Sequence, residues 1–251
     1  MNLVDLIVPD WTLPDSIVAC CTTRKGGVSQ DGYASLNLAE HVDDDPFRVV
    51  QNRAVLKQAL NLPSEPEWLN QTHSVEVAHL DRSNVRDADA AITTQPGKVV
   101  VVMTADCLPV LLCNQTGTEV AAAHAGWRGL LNGVLEQTVE TMTSDASQIH
   151  AWMGPAIGPD HFEVGPEVYR AFTEQDPATS AYFIPVNKAG HYLANLYSIA
   201  RARLKKTGLV HISGGEHCTF GDAERFFSFR REKVTGRQAS LIYIKPKSNP
   251  G

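Results

Sequence analysis

The middle of the chain, residues 99–129, contains two apolar runs on either side of a short polar segment. That segment, residues 114–117, ends in glycine and suits a four-residue loop between antiparallel strands. In the register that this loop sets, Cys107 lies directly opposite His124. Opposed residues of an antiparallel pair share a face, with Cβ atoms about 5 Å apart. The pattern therefore predicts a hairpin that brings both side chains within reach of one metal ion. Because Pro109 cannot donate to a ladder, we also expect a bulge or an edge position there that can shift the register by one residue.

Shorter apolar runs and amphipathic stretches make up the rest of the chain. Strands are predicted at residues 17–23, 75–80 and 149–153, and helices at residues 46–60, 126–143, 166–172 and 193–206. Asp45 suits the N-cap of the first helix, with Pro46 at its first position and Phe47 and Val50 on its apolar side. Residues 224–244 are predicted to form a second hairpin.

These elements alternate without the pattern of parallel βαβ units, and no repeat, linker or low-complexity segment divides them. We therefore predict an α/β (α+β) fold, a single domain over residues 1–251 with a mixed β-sheet flanked by helices. Residues 1–14 are expected to form an N-terminal extension, and residues 246–251 a flexible C-terminal tail.

The composition narrows the class of protein. With 251 residues, 43% of them hydrophobic, the chain can bury a substantial core. Its net charge of −6 argues against nucleic acid as a partner, because phosphate backbones need a concentrated basic surface. The sequence has neither an apolar run of about 20 residues, as a membrane span requires, nor a basic and then apolar leader. We therefore expect a cytoplasmic monomer or weak dimer, with neither nucleic acid nor membrane as a partner.

Five cysteines at scattered positions do not indicate a disulfide scaffold. Cys107 is therefore expected to be a reduced thiol, and three interpretations of it stay open. In the first, Cys107 is a nucleophile with His124 as its base. In the second, Cys107 and His124 are both metal ligands. In the third, Cys107 is a small buried hydrophobic residue. Asp106 is interpreted as a general base or as an anchor for a ligating histidine. His73, taken alone, is more typical of an ordinary surface or core histidine.

Cationic residues at three places could bind an anionic substrate. Arg24 and Lys25 precede Gly26 in a loop whose backbone can approach a ligand closely, although so short a motif is more often a solvated turn. Arg128 lies in the first turn of a predicted helix, where unpaired N–H groups favour anions, or else it is a surface arginine. Arg230 could hold a carboxylate or phosphate by bidentate bonds, although strand arginines more often face solvent.

Seven motifs in a fixed order extend over nearly the whole chain. They are TRKGGVS (23–29), SLNL (35–38), WLNQTH (68–73), TADCLP (104–109), HAGWRG (124–129), GPAIGP (154–159) and FFSFRR (226–231). In these motifs the chain resembles the YfiH-type proteins, variously described as laccase-domain polyphenol oxidoreductases, purine nucleoside phosphorylases and peptidoglycan editing factors. The resemblance implies a single domain related in architecture to the bacterial toxin deamidases.

The same resemblance implies a zinc ion bound by His73, Cys107 and His124. It also implies phosphorolysis of adenosine, inosine and methylthioadenosine, with hydrolytic deamination of adenosine as a companion activity, so the expected partners are a small nucleoside and phosphate. Cys107, Asp106 and Arg128 are then the expected catalytic residues. Phosphate binding is expected from Arg24, Lys25, Gly26, Arg128 and Arg230.

Two other activities stay open. One is hydrolysis of an amide bond in cell-wall precursors, UDP-muramoyl species that carry L-serine in place of alanine. The other is copper-dependent oxidation of phenols. Copper has less support than zinc, because a multicopper oxidase needs many clustered histidines and this chain has nine in total, with no His-x-His.

Overall fold

The computed structural model of this chain describes residues 4–246. The strands are β1 (Leu6–Ile7), β2 (Ile17–Thr22), β3 (Val77–His79), β4 (Ala90–Thr93), β5 (Val100–Thr104), β6 (Leu108–Asn114), β7 (Val120–Ala125), β8 (Ile149–Met153), β9 (Glu163–Val164), β10 (Phe183–Pro185), β11 (Tyr192–Ala194), β12 (His211–Gly214) and β13 (Gln238–Ile244). The α-helices are α1 (Pro46–Ala59), α2 (Trp127–Asn132), α3 (Val134–Thr141), α4 (Pro166–Gln175), α5 (Leu196–Lys206) and α6 (Phe229–Glu232). Within residues 4–246, no helix is both long and apolar enough to span a bilayer.

A six-stranded sheet, in the order β12-β8-β6-β7-β4-β3, lies at the centre of the molecule. Its outer pairs, β12 with β8 and β3 with β4, are parallel, whereas the pairs between them are antiparallel. A second, antiparallel sheet, in the order β1-β2-β13-β5, packs against one face of it, and a small sheet comprises β10, β11 and β9. The predicted α/β class, with a mixed sheet flanked by helices, is confirmed, and the structure adds the second and third sheets.

Buried apolar side chains join these layers. Leu135 on α3 and Leu204 on α5 belong to the cluster that covers the outer face of the six-stranded sheet. Val102 and Leu111 belong to the cluster between the two larger sheets, and Leu56 on α1 covers the far side of the second sheet. Each fully buried leucine contributes about 1.5–3 kcal/mol to the stability of the fold. Strands β6 and β7 are buried along their whole length. They therefore form a rigid support for the residues at their ends.

The hairpin of β6 and β7 differs in register from the predicted one. Its loop has the predicted length of four residues but comprises residues 115–118, one residue later. The reason is the Asn114 side chain, whose oxygen accepts backbone N–H bonds of 2.8 and 3.1 Å from the far end of the loop. His124 therefore faces Pro109 and not Cys107. Pro109 lies in a central strand without a bulge, because pairing with β8 begins only at the following residue.

The first helix begins where it was predicted to begin, but a different face of it is buried. The Asp45 side chain accepts a 2.9 Å bond from the N–H group of Phe47, as an N-cap residue does. Phe47 and Val50, however, are 84% and 61% exposed. Val49 and Leu56 are buried in their place. The helix is rotated relative to the prediction, so that its buried stripe follows these two residues.

The predicted helix over residues 126–143 consists of two helices, α2 and α3. Gly133 between them has a φ of +97°, in the left-handed region that favours glycine, and it ends α2. At the N-terminus, Leu6–Ile7 within the predicted extension pair with β2, so this part belongs to the second sheet. Residues 1–3 and the predicted C-terminal tail beyond residue 246 lie outside the described residues.

The predicted hairpin over residues 224–244 is wrong. Only its second half is a strand, β13, whereas Arg230 and Arg231 lie on the short helix α6, which Ser228 caps. Strand β13 already has β2 and β5 as neighbours on its two sides, so no free edge is left for a third strand. The Gln238 side chain instead accepts a 3.0 Å bond from the N–H group of Phe227. Arg230 is therefore not a strand arginine.

Candidate metal centre

Three side chains from separate parts of the chain meet near one end of the six-stranded sheet. His73 lies in the loop before β3, Cys107 immediately precedes β6, and His124 is near the end of β7. Their ligand atoms all lie within 4.8 Å of one another, and Sγ of Cys107 is 3.8 Å from Nε2 of His73. The structure thus brings together the three residues named as metal ligands in the sequence analysis. In the described part of the chain, theirs is the one group of three or more potential ligands.

A glycine makes room for this convergence. A Cβ atom placed on Gly126 would lie 2.8 Å from Sγ of Cys107 and 2.9 Å from Cδ2 of His73. Any side chain at position 126 would therefore push these two residues away. The backbone of Gly126, with φ −60° and ψ 162°, is open to every residue type. Glycine is thus required here by the packing of the site and not by the backbone conformation.

We expect the substitution Gly126→Ala to weaken the binding of a metal ion at this site, tested with zinc, while the fold is retained. Overpacking of this kind costs about 1–3 kcal/mol, or roughly 10–100-fold in affinity. Titration calorimetry measures the affinity, and thermal unfolding without metal reports the fold. Gly221→Ala is the matched control, because a Cβ atom at Gly221 makes no contact shorter than 3.4 Å. Equal zinc affinity in the two variants would contradict the prediction.

Asp89, a residue that the sequence analysis did not select, positions two of the three side chains. Its buried carboxylate oxygen Oδ1 is 2.7 Å from Nδ1 of His124. The same carboxylate accepts backbone N–H bonds from Thr72, His73 and Ser74, at 3.1, 3.0 and 2.6 Å. These bonds hold His73 at a φ of +62°, which non-glycine residues rarely adopt. Asp89 thereby fixes the loop of one histidine and the ring of the other.

The bond to Asp89 also decides how His124 can bind a metal. Because Nδ1 of His124 is engaged by the carboxylate, Nε2 is the nitrogen left for a ligand. Histidines that bind metals almost always have such a partner on the other ring nitrogen, which fixes the tautomer and the ring orientation. The sequence gives no sign of this role, since Asp89 is the second of two aspartates in a short polar stretch.

The three groups shift one another's pKa values. Burial raises the pKa of the Cys107 thiol, but the His124 and His73 rings outweigh burial and lower it to about 6. Burial lowers the pKa of His124, but Cys107 and Asp89 outweigh it and raise that pKa to about 9. Burial raises the pKa of Asp89, but hydrogen bonds from His124 and Ser74 lower it to about 2. At neutral pH these shifts favour a thiolate on Cys107 and a proton on His124, so a metal ion that binds both side chains would displace the proton from His124.

The three side chains line a cleft of about 500 Å³. Its walls carry three arginines and three aromatic rings, namely Arg128, Arg230, Arg237, Trp127, Phe162 and Phe229. His41 also lines the cleft, and burial together with Arg237 and Arg53 lowers the pKa of its ring. A cleft of this size, with cations and aromatic faces, fits a small ligand that has an anionic group and a planar ring.

Two of the predicted anion-binding residues lie in this cleft. Arg128 is exposed in the first turn of α2, and its guanidinium carbon is 4.4 Å from the centre of the Trp127 ring. Arg230 donates a 2.7 Å bond to the carbonyl oxygen of Glu163 and remains at the cleft wall. Arg237, in the loop before β13, is a third cation that the sequence analysis missed, because no motif or periodic pattern marks it.

The other predicted phosphate-binding residues lie outside the cleft. The Arg24 guanidinium donates to the carbonyl oxygen of Ala34 at 2.8 Å and pairs with Glu232 at 2.9 Å. Lys25 pairs with Glu224. Gly26, with a φ of +99°, turns the chain between them and the next loop. These contacts give the segment a structural role, and the predicted anion site at Arg24, Lys25 and Gly26 is not brought to the metal centre.

Asp106 lies in the cleft beside Cys107, but its hydrogen bonds are to residues of the opposite wall. Its Oδ1 accepts a 2.7 Å bond from the hydroxyl group of Thr219, and its Oδ2 accepts a 2.6 Å bond from the backbone N–H of Arg230. The interpretation of Asp106 as an anchor for a ligating histidine is wrong, because Asp89 holds that position. A role for Asp106 as a general base stays a prediction.

The donor set and its geometry fit a metal ion. Two imidazole nitrogens and one thiolate are ligands that zinc prefers, and three protein ligands leave one position for water or substrate. Zinc–ligand bonds of about 2.0–2.3 Å place tetrahedral ligand atoms roughly 3.5 Å apart, close to the 3.8 Å between Cys107 and His73. Two histidines and a cysteine can also bind copper, so these residues indicate a metal site without fixing the metal.

Comparison with known proteins places this site in a family. The family described as multi-copper polyphenol oxidoreductase laccase matches residues 18–245. The chain belongs to this family. Among its relatives, "Purine nucleoside phosphorylase YfiH" of Escherichia coli (strain K12) is 52% identical over 241 residues, which cover 95% of this chain and 98% of that protein. A "Purine nucleoside phosphorylase" of Haemophilus influenzae is 48% identical, with 95% and 99% covered.

Solved structures show the same fold. Neisseria meningitidis protein NMB0706 superposes with a TM-score of 0.92 at 44% identity, over 96% of this chain and 99% of that one. YlmD from Geobacillus stearothermophilus superposes with a TM-score of 0.84 at 30% identity, over 98% and 100%. The resemblance to the YfiH-type proteins and the mixed α/β fold that the chain shares with them are confirmed.

Proposed function

We propose that the chain is a zinc-dependent purine nucleoside phosphorylase that also deaminates adenosine. The observation that carries this proposal is the placement of the His73, Cys107 and His124 donor set in one cleft with Arg128 and Arg230. The names of the relatives point to the same activity. The proposed substrates are adenosine, inosine and methylthioadenosine, each together with phosphate.

Phosphorolysis joins a phosphate oxygen to C1′ of the ribose while the bond from C1′ to the purine breaks. In the cleft, the guanidinium groups of Arg128 and Arg230 would bind the phosphate, since charge-assisted bonds to arginine are the strong ones. The Trp127 and Phe162 rings offer apolar faces for the purine. The Asp106 carboxylate, which also lines the cleft, would act as the general base.

The bound metal adds the chemistry that these side chains lack. Zinc held by His73, Cys107 and His124 would supply Lewis-acid activation of water or of a substrate oxygen. Asp89 keeps the two histidines in their ligating positions. Deamination at C6 of adenosine needs a purine bound in the same cleft, so both proposed activities share one binding site.

Product analysis tests this proposal. Zinc-loaded protein is incubated with adenosine and phosphate, and adenine, ribose 1-phosphate and inosine are separated by chromatography. We expect adenine and ribose 1-phosphate in equal amounts when phosphate is present, and inosine as a further product. An absence of all three products with metal-loaded protein would contradict the proposal.

We expect Arg128→Gln to raise the KM for phosphate about 10–100-fold, because a hydrogen bond to a charged group contributes about 1.5–3 kcal/mol. The KM for adenosine should change much less, since glutamine keeps most of the packing over Trp127. Steady-state kinetics with either substrate varied measure both constants. Arg170→Gln is the matched control, because Arg170 is exposed on α4 and does not line the cleft. If Arg128→Gln and the control had the same KM for phosphate, Arg128 would have no part in binding it.

Copper-dependent oxidation of phenols is a second candidate function. The family description and a donor set of two histidines and one cysteine, with Met103 also lining the cleft, favour it. Metal analysis of the purified protein separates the two proposals. One equivalent of zinc with negligible copper would exclude the oxidase, whereas stoichiometric copper with turnover of phenols would exclude the zinc enzyme.

A further inference from the structure

A second pair of thiol and imidazole groups lies outside the metal centre. Sγ of Cys218 is 3.4 Å from Nδ1 of His161. The same sulfur accepts two backbone N–H bonds, from Gly158 at 3.2 Å and from Gly221 at 3.3 Å. The His161 ring is stacked on Phe220, with 4.7 Å between the ring centres. Three nitrogen atoms thus lie within 3.4 Å of one sulfur atom, and two of them are backbone N–H donors.

The glycines around Cys218 leave space for the sulfur. A Cβ atom on Gly158 would lie 3.0 Å from Sγ of Cys218, and one on Gly221 would lie 3.6 Å from it. The absence of a side chain at Gly158 therefore lets its N–H group approach the sulfur, whereas a Cβ atom at Gly221 would be tolerated. Cys218 is half-buried and His161 is exposed, so small reagents in solution can reach the pair.

The other cysteines differ from Cys218. Cys20, Cys21 and Cys113 are buried, and burial raises the pKa of each thiol to about 12. Cys107 belongs to the metal centre. Cys218 is therefore the remaining thiol of the chain, and it combines access to solvent with a histidine ring and two N–H groups beside its sulfur.

We propose that Cys218 and His161 form a peroxide-reactive thiol site, distinct from the metal centre. The Cys218 sulfur attacks one oxygen of a hydroperoxide, so that an S–O bond forms and the O–O bond breaks. The sulfur loses two electrons and becomes a sulfenic acid, and with hydrogen peroxide the other oxygen leaves as water. During the attack the thiol proton passes to Nδ1 of His161 and from there to the leaving oxygen.

The position of Cys218 connects this modification to the cleft. The residue after it, Thr219, donates its hydroxyl group to Asp106 and its backbone N–H group to the carbonyl oxygen of Ala156, at 2.7 and 2.9 Å. Gly158 follows Ile157, which lines the cleft. An oxygen added to this sulfur competes for the space and the N–H bond of Gly158, so we expect the segment from Ala156 to Gly158 to shift. Oxidation of Cys218 should therefore disturb one wall of the cleft. This second effect rests on the proposed function, whereas the reactivity does not.

Labelling with mass spectrometry tests the reactivity. Zinc-loaded protein, in which Cys107 is engaged, is treated with iodoacetamide or with hydrogen peroxide and a 1,3-diketone that traps sulfenic acid. We expect native Cys218 to react at least tenfold faster than the same cysteine in urea-unfolded protein. His161→Gln should lose most of this advantage, and Cys113 should stay unlabelled. A native Cys218 that reacts no faster than the unfolded one, or a His161→Gln variant as reactive as the wild type, would overturn the proposal.

The effect on the cleft has its own test. Peroxide should lower adenosine turnover severalfold in the wild type at constant zinc content, but not in Cys218→Ser, which should be fully active before treatment. Equal losses in the two proteins would overturn the connection to the cleft. If neither protein shows turnover, the proposed function fails, and the labelling rates still decide whether the thiol site exists.

Discussion

Asp89→Asn will lower the zinc affinity of the protein about 10–100-fold, the usual loss when the partner of a ligating histidine is removed. Asparagine has one acceptor oxygen where the carboxylate has two. The NH2 group that replaces the other oxygen would face N–H donors, either those of His124 and His73 at Oδ1 or those of Thr72 and Ser74 at Oδ2. The loop that carries His73 loses a bond in either case, and the His124 ring loses its bond in the first. Turnover of adenosine should fall together with zinc content, and titration calorimetry measures the affinity.

The control for this variant lies two residues away. Asp87→Asn changes an exposed carboxylate that accepts a 2.8 Å bond from Asn70 and does not line the cleft. It should keep full zinc affinity and turnover. Thermal unfolding of both variants without metal separates loss of the site from loss of the fold. Asp89→Asn with the affinity of the wild type would show that the carboxylate does not position the ligands.

Cys107→Ala will abolish turnover and zinc binding together. Removal of one of three protein ligands leaves two imidazoles, and no other thiolate or carboxylate within residues 4–246 joins them in a metal-binding group. The sequence analysis left open whether Cys107 is a nucleophile or a ligand, and this variant separates the two. If Cys107 is only a nucleophile, the variant loses turnover and keeps its zinc. If Cys107 is a ligand, the variant loses turnover and zinc together.

Elemental analysis and product chromatography on the same preparation give both quantities. Cys218→Ser is the matched control, because it removes a partly accessible thiol outside the metal centre and should leave both quantities unchanged. Full turnover by Cys107→Ala would return Cys107 to the role of a buried hydrophobic residue. One equivalent of zinc in an inactive Cys107→Ala variant would favour covalent catalysis.

The pattern of apolar residues was sufficient to predict the β6–β7 hairpin and the fold class. The β6–β7 pair was predicted because its strands are nearly all apolar and the loop is polar. The register came out differently because a single side chain, Asn114, bonds across the loop, and such a contact has no periodic pattern. The convergence of Cys107 and His124 did not depend on an accurate register. His73 came only from a family resemblance, since a lone histidine carries little information.

The residues that tune the site were less accessible from sequence. Asp89 binds backbone N–H groups 15 to 17 positions away and a histidine ring 35 positions away, contacts that only the assembled fold creates. Arg237 reaches the cleft because β13 lies between two strands from the first half of the chain. Because β13 pairs with those strands on both sides, residues 226–231 cannot pair with it in the predicted hairpin. Long-range packing, which local patterns do not encode, decided all three outcomes.

The most direct test of this account is a stepwise titration of metal-free protein with zinc, with adenine release from adenosine and phosphate followed at each step. If His73, Cys107 and His124 hold one catalytic ion, the rate of adenine release rises in proportion to added zinc and becomes constant at one equivalent. Full turnover by the metal-free protein, or none at any zinc content, would contradict the account.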